Sequence, residues 1–315
     1  MPTLIEPAAP PRPGVRGAAE HPAAASIALR GLLDSGAAGE VLAVFPTAVY
    51  VALSGGGREA TVAAVVARDG VRMPNALVIA AASTQAPFAP HSAGDAAWTG
   101  EDCLHIGAVR YRAVRSWSPR RIHVPLEPER TAPAVHELER LLDAQPLRLD
   151  APVASAAGRL RDALIALDAP ATEAAADALL GLGRGLTPAG DDVLAGVLVA
   201  CDQLAGLPGT HVVTAQAARL GRYVAGRATT RTTALSAALL AHAGRGEAAD
   251  PVMAVTEALA GIRAPAPALR ELLSVGHSSG HDTARGLLAG AHALMAHSSL
   301  GRHTIGGNPA PKEHR

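Results

Sequence analysis

Apolar and polar positions along this chain follow two different rhythms, with the change after Pro125 and Pro128. Before it, residues 40–45, 48–53 and 59–67 form short, Val-rich runs of strand length. Ser54-Gly55-Gly56-Gly57 separates the second and third as a hairpin turn signal. Residues 76–81, introduced by Pro74-Asn75, predict a further strand. So do 104–114 and 121–124, with Ser118 and Pro119 between them. After the change the spacing becomes helical. Thr131 and Pro133 read as a cap and a first helical residue, with Leu138, Leu141 and Leu142 on one face. Further helices are predicted over 153–167, 172–182, 192–204, 212–226, 234–243, 252–261 and 282–296, and a short one over 26–33. Asp250-Pro251 reads as another cap-plus-Pro start.

Strands first and helices afterwards argue for an α+β protein. An N-terminal antiparallel β-rich domain over 38–127 is followed by a mainly α-helical domain over 131–297. Residues 1–25, with Pro7, Pro10, Pro11 and Pro13, lack periodicity and read as a disordered leader; 298–315 read as a similar tail.

Composition sharpens this outline. The 315 residues are 49% hydrophobic but only 2% aromatic, so the core is expected to pack Ala, Leu and Val closely. The formal net charge is zero, which gives no footprint for nucleic acid or an anionic membrane. The longest apolar run falls short of the ~20 residues of a membrane span. No basic segment leads into an apolar one at the N-terminus, so the chain reads as cytoplasmic. Cys103 and Cys201 lie outside any metal-ligand spacing and read as buried thiols.

The chemistry concentrates in two similar strings: Gly185-Leu186-Thr187-Pro188-Ala189-Gly190-Asp191-Asp192 and Gly276-His277-Ser278-Ser279-Gly280-His281-Asp282. Each continues to a glycine four residues past its last Asp, Gly196 and Gly286, and into an apolar helical run. Both read as helix starts. Thr187 and Ser278 or Ser279 would cap them, and Gly181, Gly183, Gly185, Gly190, Gly276 and Gly280 would turn backbone amides toward an anion. Asp and Gly at i and i+4 share a helix face, so the two helices are expected to pack together and bring both loops to one ligand. Paired carboxylates at Asp191 and Asp192 suit proton transfer, an amide ligand or Mg²⁺; no zinc site is indicated. The bland alternative is that Asp only complements the helix dipole, about 0.3–1 kcal/mol, and Ser and Thr only cap. A Walker loop is excluded, since no Lys follows the glycines.

The run from Gly181 to Gly196, with Gly276 to Asp282 and the Thr-rich segment Thr229 to Ser236, resembles the AllH-type family over about 40–297. Arg184 stands where that pattern has Pro, and Ser278 where it has Thr. The family's namesake is a subunit of oxamate carbamoyltransferase in ureide (allantoin) catabolism, and most of its members are uncharacterised. The resemblance implies a transferase, with phosphorolysis of oxalurate to oxamate and carbamoyl phosphate by several different subunits. On that basis Asp191, Asp192, His277 and Asp282 are the candidate catalytic residues. Gly183, Arg184, Gly185, Thr187, Gly190, Arg227, Arg231, Ser278, Ser279 and Gly280 are candidates for holding substrate and phosphate. No cofactor is required by the pattern, although Mg²⁺ would fit the carboxylates. The expected partners are a small ureido or carboxylate substrate, phosphate and other carbamoyltransferase subunits, with no nucleic acid and no membrane. The alternative is a subunit that binds an anion or metabolite while a partner does the chemistry. A nucleotide-binding protein would need a stacking aromatic, and the helical half offers only Tyr223.

Overall fold

A computed structural model describes residues 19–55 and 58–305, with side chains described except at 58–59 and 299–305. The chain opens with β1 (Ala19–Ser26), a 3₁₀ turn (Ile27–Leu29) and the single-turn α1 (Arg30–Leu33). Next come β2 (Ala38–Phe45), β3 (Ala48–Gly55), β4 (Arg58–Val66), β5 (Ala76–Ile79), β6 (Ala96–Gly100), β7 (Cys103–Ile106) and β8 (Val109–Trp117). These eight strands close a barrel in the order β1-β5-β4-β3-β2-β6-β7-β8. Most pairs are antiparallel, but β4–β5 and the closing β1–β8 pair are parallel. Leu53, Leu77, Ile79, Leu104, Ile106 and Tyr111 are buried in its main apolar core. A mixed α+β fold with the strand-rich part first is therefore what the chain adopts.

The expected leader reaches too far: residues 1–18 lie outside the described residues, but 19–25 belong to β1. This strand is Ala-rich and contains Pro22, so it lacks the β-branched signature of a strand. Its place comes from main-chain pairing on both sides, with β5 and β8. The run 104–114 is two strands with a turn through Gly107, which has φ +55°. Residues 121–124 are not a strand. Their hydrogen bonds go to the helices: Arg121 donates to Asp202 and to the Arg245 carbonyl at 2.6 Å each, and Ile122 N–H donates to Gln203 at 2.8 Å.

The helices are α2 (Pro128–Asp143), α3 (Ala151–Ala166), α4 (Ala169–Leu179), α5 (Ala189–Gln203), α6 (His211–Arg231), α7 (Ala234–Ala243), α8 (Asp250–Leu259), α9 (Pro265–Leu273) and α10 (Ser279–Ile305). Pro128, not Pro133, opens α2; Thr131 lies buried inside that helix and caps nothing. The expected tail from 298 begins as the end of α10, and 306–315 lie outside the described residues.

Two contacts set up the rest. Leu235 and Ala238 of α7 pack on Val62 of β4, which joins bundle to barrel. The helices α5 and α10 cross through their glycines. A Cβ on Gly196 would fall 2.7 Å from the Leu287 nitrogen and closer still to the Thr283 carbonyl oxygen. A Cβ on Gly286 would fall 2.9 Å from the Val193 Cα and closer still to the Val193 oxygen. Val193 and Thr283 correspond under the same offset in numbering that relates Gly196 to Gly286. The crossing is therefore locally pseudo-twofold, and two bare backbones meet at its centre.

Candidate functional site

A cavity of about 440 Å³ lies between the barrel and the bundle. Both glycine-rich strings line it: Thr187, Asp191 and Asp192 from one, and Gly276, Ser279 and Gly280 from the other. The loops also touch directly, with the Thr187 and Ser279 hydroxyls 2.9 Å apart. Thr187 does not cap α5 as expected. Pro188 occupies the cap position and makes no side-chain cap bond, leaving the Thr187 hydroxyl for the opposite loop.

The two adjacent aspartates have different environments. Asp191 is 1% exposed and fully engaged. Its carboxylate accepts from the Gly181 N–H at 2.8 Å, from the Ser236 hydroxyl at 2.7 Å and from the Thr232 hydroxyl. Gly181, Gly183 and Gly185 do adopt positive φ, of +77°, +126° and +94°. The anion that their loop holds is the chain's own Asp191. The first amides of α5 are also taken: Gly190 N–H donates to Leu182 O, and those of Asp191 and Asp192 to Pro188 O. Gly280 N–H donates to Val275 O in the same way, and Asp282 N–H to Ser278 O. Gly190 and Gly280 each press against a backbone carbonyl, of Leu179 and Leu272, where a side chain has no room.

Asp192 is 8% exposed, and its Oδ2 has no hydrogen-bond partner among the described residues. Burial raises its carboxyl to about 8, and the charges of Asp282 and Asp191 push the same way, against hydrogen bonding to Ser279 and Thr187. At neutral pH it is a carboxylic acid, able to donate one hydrogen bond and accept another. Asp282 is 3% exposed, with Oδ1 3.2 Å from Nδ1 of the equally buried His281, whose Nε2 is unpartnered. Neither of these two lines the cavity.

Other expected site residues lie elsewhere. His277 is exposed and off the cavity wall, as are Gly183, Arg184 and Gly185; Ser278 is half-buried and also off it. Arg227 pairs with Asp177 at 2.9 Å and stacks on Tyr223, while Arg231 donates to the Asp177 carbonyl at 3.2 Å. These arginines clamp α6 to α4 and do not reach the cavity. A wall residue the sequence did not single out is Glu247. Its Oε2 lies 2.7 Å from His242 Nδ1 and 3.2 Å from Arg245. Burial acts to raise the Glu247 carboxyl, but the His242 hydrogen bond and the Arg245 charge outweigh it and hold it below the ordinary value. No spacing motif links Glu247 to the glycine-rich strings, so only the fold reveals it. Among the described residues no three His, Cys, Asp or Glu side chains converge to hold a metal.

Barrel, crossed helices and shared cavity define an α+β protein with a buried carboxyl, Asp192, whose Oδ2 is unpartnered among the described residues, between two pseudo-symmetric helix starts. Residues 179–291 match the family described as oxamate carbamoyltransferase subunit AllH. The match takes in both glycine-rich strings and the Thr232–Ser236 segment that binds Asp191, so over this stretch the chain is similar to a subunit of that enzyme. No solved structure matches the chain. Among the described residues no helix is long and apolar enough to cross a membrane.

Proposed function

We propose that this chain is a subunit, or a stand-alone relative, of oxamate carbamoyltransferase, and that its cavity receives the carbamoyl end of a small ureido substrate. The observation that carries this reading is Asp192, a buried cavity-wall residue whose Oδ2 has no hydrogen-bond partner among the described residues. A ureido group offers N–H donors beside a carbonyl acceptor. A neutral carboxyl offers the complementary acceptor and donor. In the phosphorolysis, a phosphate oxygen attacks the ureido carbonyl and the carbon–nitrogen bond to oxamate breaks. The leaving nitrogen needs a proton, and Asp192 would supply it and recover one from the attacking phosphate. Asp191 has a positioning role, fixing the Gly181 loop and the Thr232–Ser236 segment around its neighbour.

A second reading is favoured by one feature: among the described residues no arginine or lysine lines the cavity. Phosphate would then be held by a partner subunit, and this chain would bind the ureido ligand only. The test is carbamoyl phosphate formation from oxalurate and phosphate, with the purified chain alone and with its partner subunits. Turnover by the chain alone, lost in Asp192→Asn, supports catalysis here. Turnover only in the mixture supports the binding reading. A fully active Asp192→Asn mixture refutes both.

A further inference from the structure

The cavity is larger and more apolar than the head group its polar atoms address. Its volume of about 440 Å³ corresponds to roughly fifteen waters at ~30 Å³ each. That is the range of pockets that take a molecule with a substantial apolar body. Beyond the hydroxyls and carboxyls already described, the wall is mostly apolar, with Tyr50 and Met73 from the barrel side and Leu239, Val252 and Leu272 from the bundle. Among the described residues, the ionisable wall groups besides Tyr50 are all acidic, namely Asp191, Asp192 and Glu247. Near the start of α5 the amides of Gly190, Asp191 and Asp192 donate within the chain and do not compensate that charge. A small anionic ureide such as oxalurate would leave most of this wall uncovered and its single carboxylate unpaired.

We propose that the ligand of this cavity is a carbamoylated compound carrying an apolar body at least as large as a leucine side chain. The proposal rests on the reading that Asp192 takes the carbamoyl end. The ureido group meets Asp192 and the Thr187–Ser279 hydroxyls, and the apolar body covers Met73, Leu239 and Val252.

A matched pair of probes tests this on the full-length protein by titration calorimetry. N-carbamoyl-L-leucinamide and N-carbamoylglycinamide share the ureido and carboxamide groups, carry no charge, and differ only in the isobutyl group. The leucine compound is expected to bind at least tenfold more tightly, a difference of about 1.4 kcal/mol. Leu239→Asn or Val252→Asn should shrink that ratio and leave the glycine compound's affinity in place. Asp192→Asn should weaken both compounds. Equal affinities, both lost in Asp192→Asn, would overturn the apolar body and leave the carbamoyl site standing. If neither compound binds, or Asp192→Asn changes nothing, both proposals fall. 4-Methylpentanamide binding as tightly as N-carbamoyl-L-leucinamide would show apolar binding without carbamoyl recognition, which also overturns the inference.

Discussion

The contact between α5 and α10 makes a prediction whose sign is opposite to the ordinary rule. Replacing a mid-helix glycine by alanine normally stabilises a helix by about 0.8–1.0 kcal/mol. At Gly196 the new methyl would fall 2.7 Å from the Leu287 nitrogen and 2.9 Å from the Gly286 carbonyl carbon, atoms of a facing backbone that cannot rotate aside. Ordinary carbon contacts need about 3.5–4.0 Å, so the helices must part by roughly 1 Å. Overpacking of this kind costs about 1–3 kcal/mol, occasionally more, and here it also disturbs apolar packing along the rest of the crossing. Gly196→Ala should therefore lower stability by about 2 kcal/mol net of the propensity gain, read as a lower urea midpoint with unchanged slope. Gly286→Ala, against Val193, should behave alike. Gly226 in α6 is the control, because a Cβ added there would meet nothing within 4 Å. Gly226→Ala should raise the midpoint, by up to about 1 kcal/mol. If Gly196→Ala is as stable as the parent or more so, the close backbone contact is not what holds these helices together.

Asp192 makes stability depend on pH. Its carboxyl ionises near 3.8 in the unfolded chain and at about 8 in the fold, so between these values the folded state binds more protons. Stability should fall as pH rises through that window, by up to about 1.4 kcal/mol per pH unit; Asp192→Asn should flatten the decline in urea titrations from pH 5 to 8. A parent profile no steeper than the variant's would show that the carboxyl is not buried as described. Asp191→Ala removes the acceptor for Gly181, Thr232 and Ser236 together and should cost about 3 kcal/mol, since donors left unpaired in the interior carry their desolvation penalty. Its unfolding midpoint checks this, and a loss below about 1 kcal/mol would mean that water replaces the carboxylate.

Legibility in the sequence followed how local each cause was. The hairpin of β3 and β4 and the helices α3 and α7 carry their own period and punctuation, and they form close to where that pattern places them. Elements stabilised mainly from outside were hidden. β1 is a strand because two neighbours pair with it, and β6 is a five-residue strand bounded by glycine. α9 begins in an alternating Ala-Pro run that reads as a breaker, yet prolines in a first helical turn give up amides that had no helical partner. The site divides the same way. Gly196 and Gly286 foretold the helix crossing because i, i+4 spacing is a property of the helix itself. What separates Asp191 from Asp192 was illegible, since Thr232 and Ser236, which donate hydrogen bonds to one and not the other, come from a different part of the chain. Glu247 joins the cavity only through the way α7 and α8 pack.

The parallel closure of the barrel has a consequence for how the protein is made. β1 pairs along its whole length with β8, the last barrel strand to be synthesised. Its other partner, β5, pairs with only three of its residues. At about 5–20 residues per second, the N-terminal strand waits several seconds at the ribosome with an open edge, ready to pair with any strand it meets. Until β8 seals that seam, the nascent chain carries an unpaired strand edge open to wrong partners.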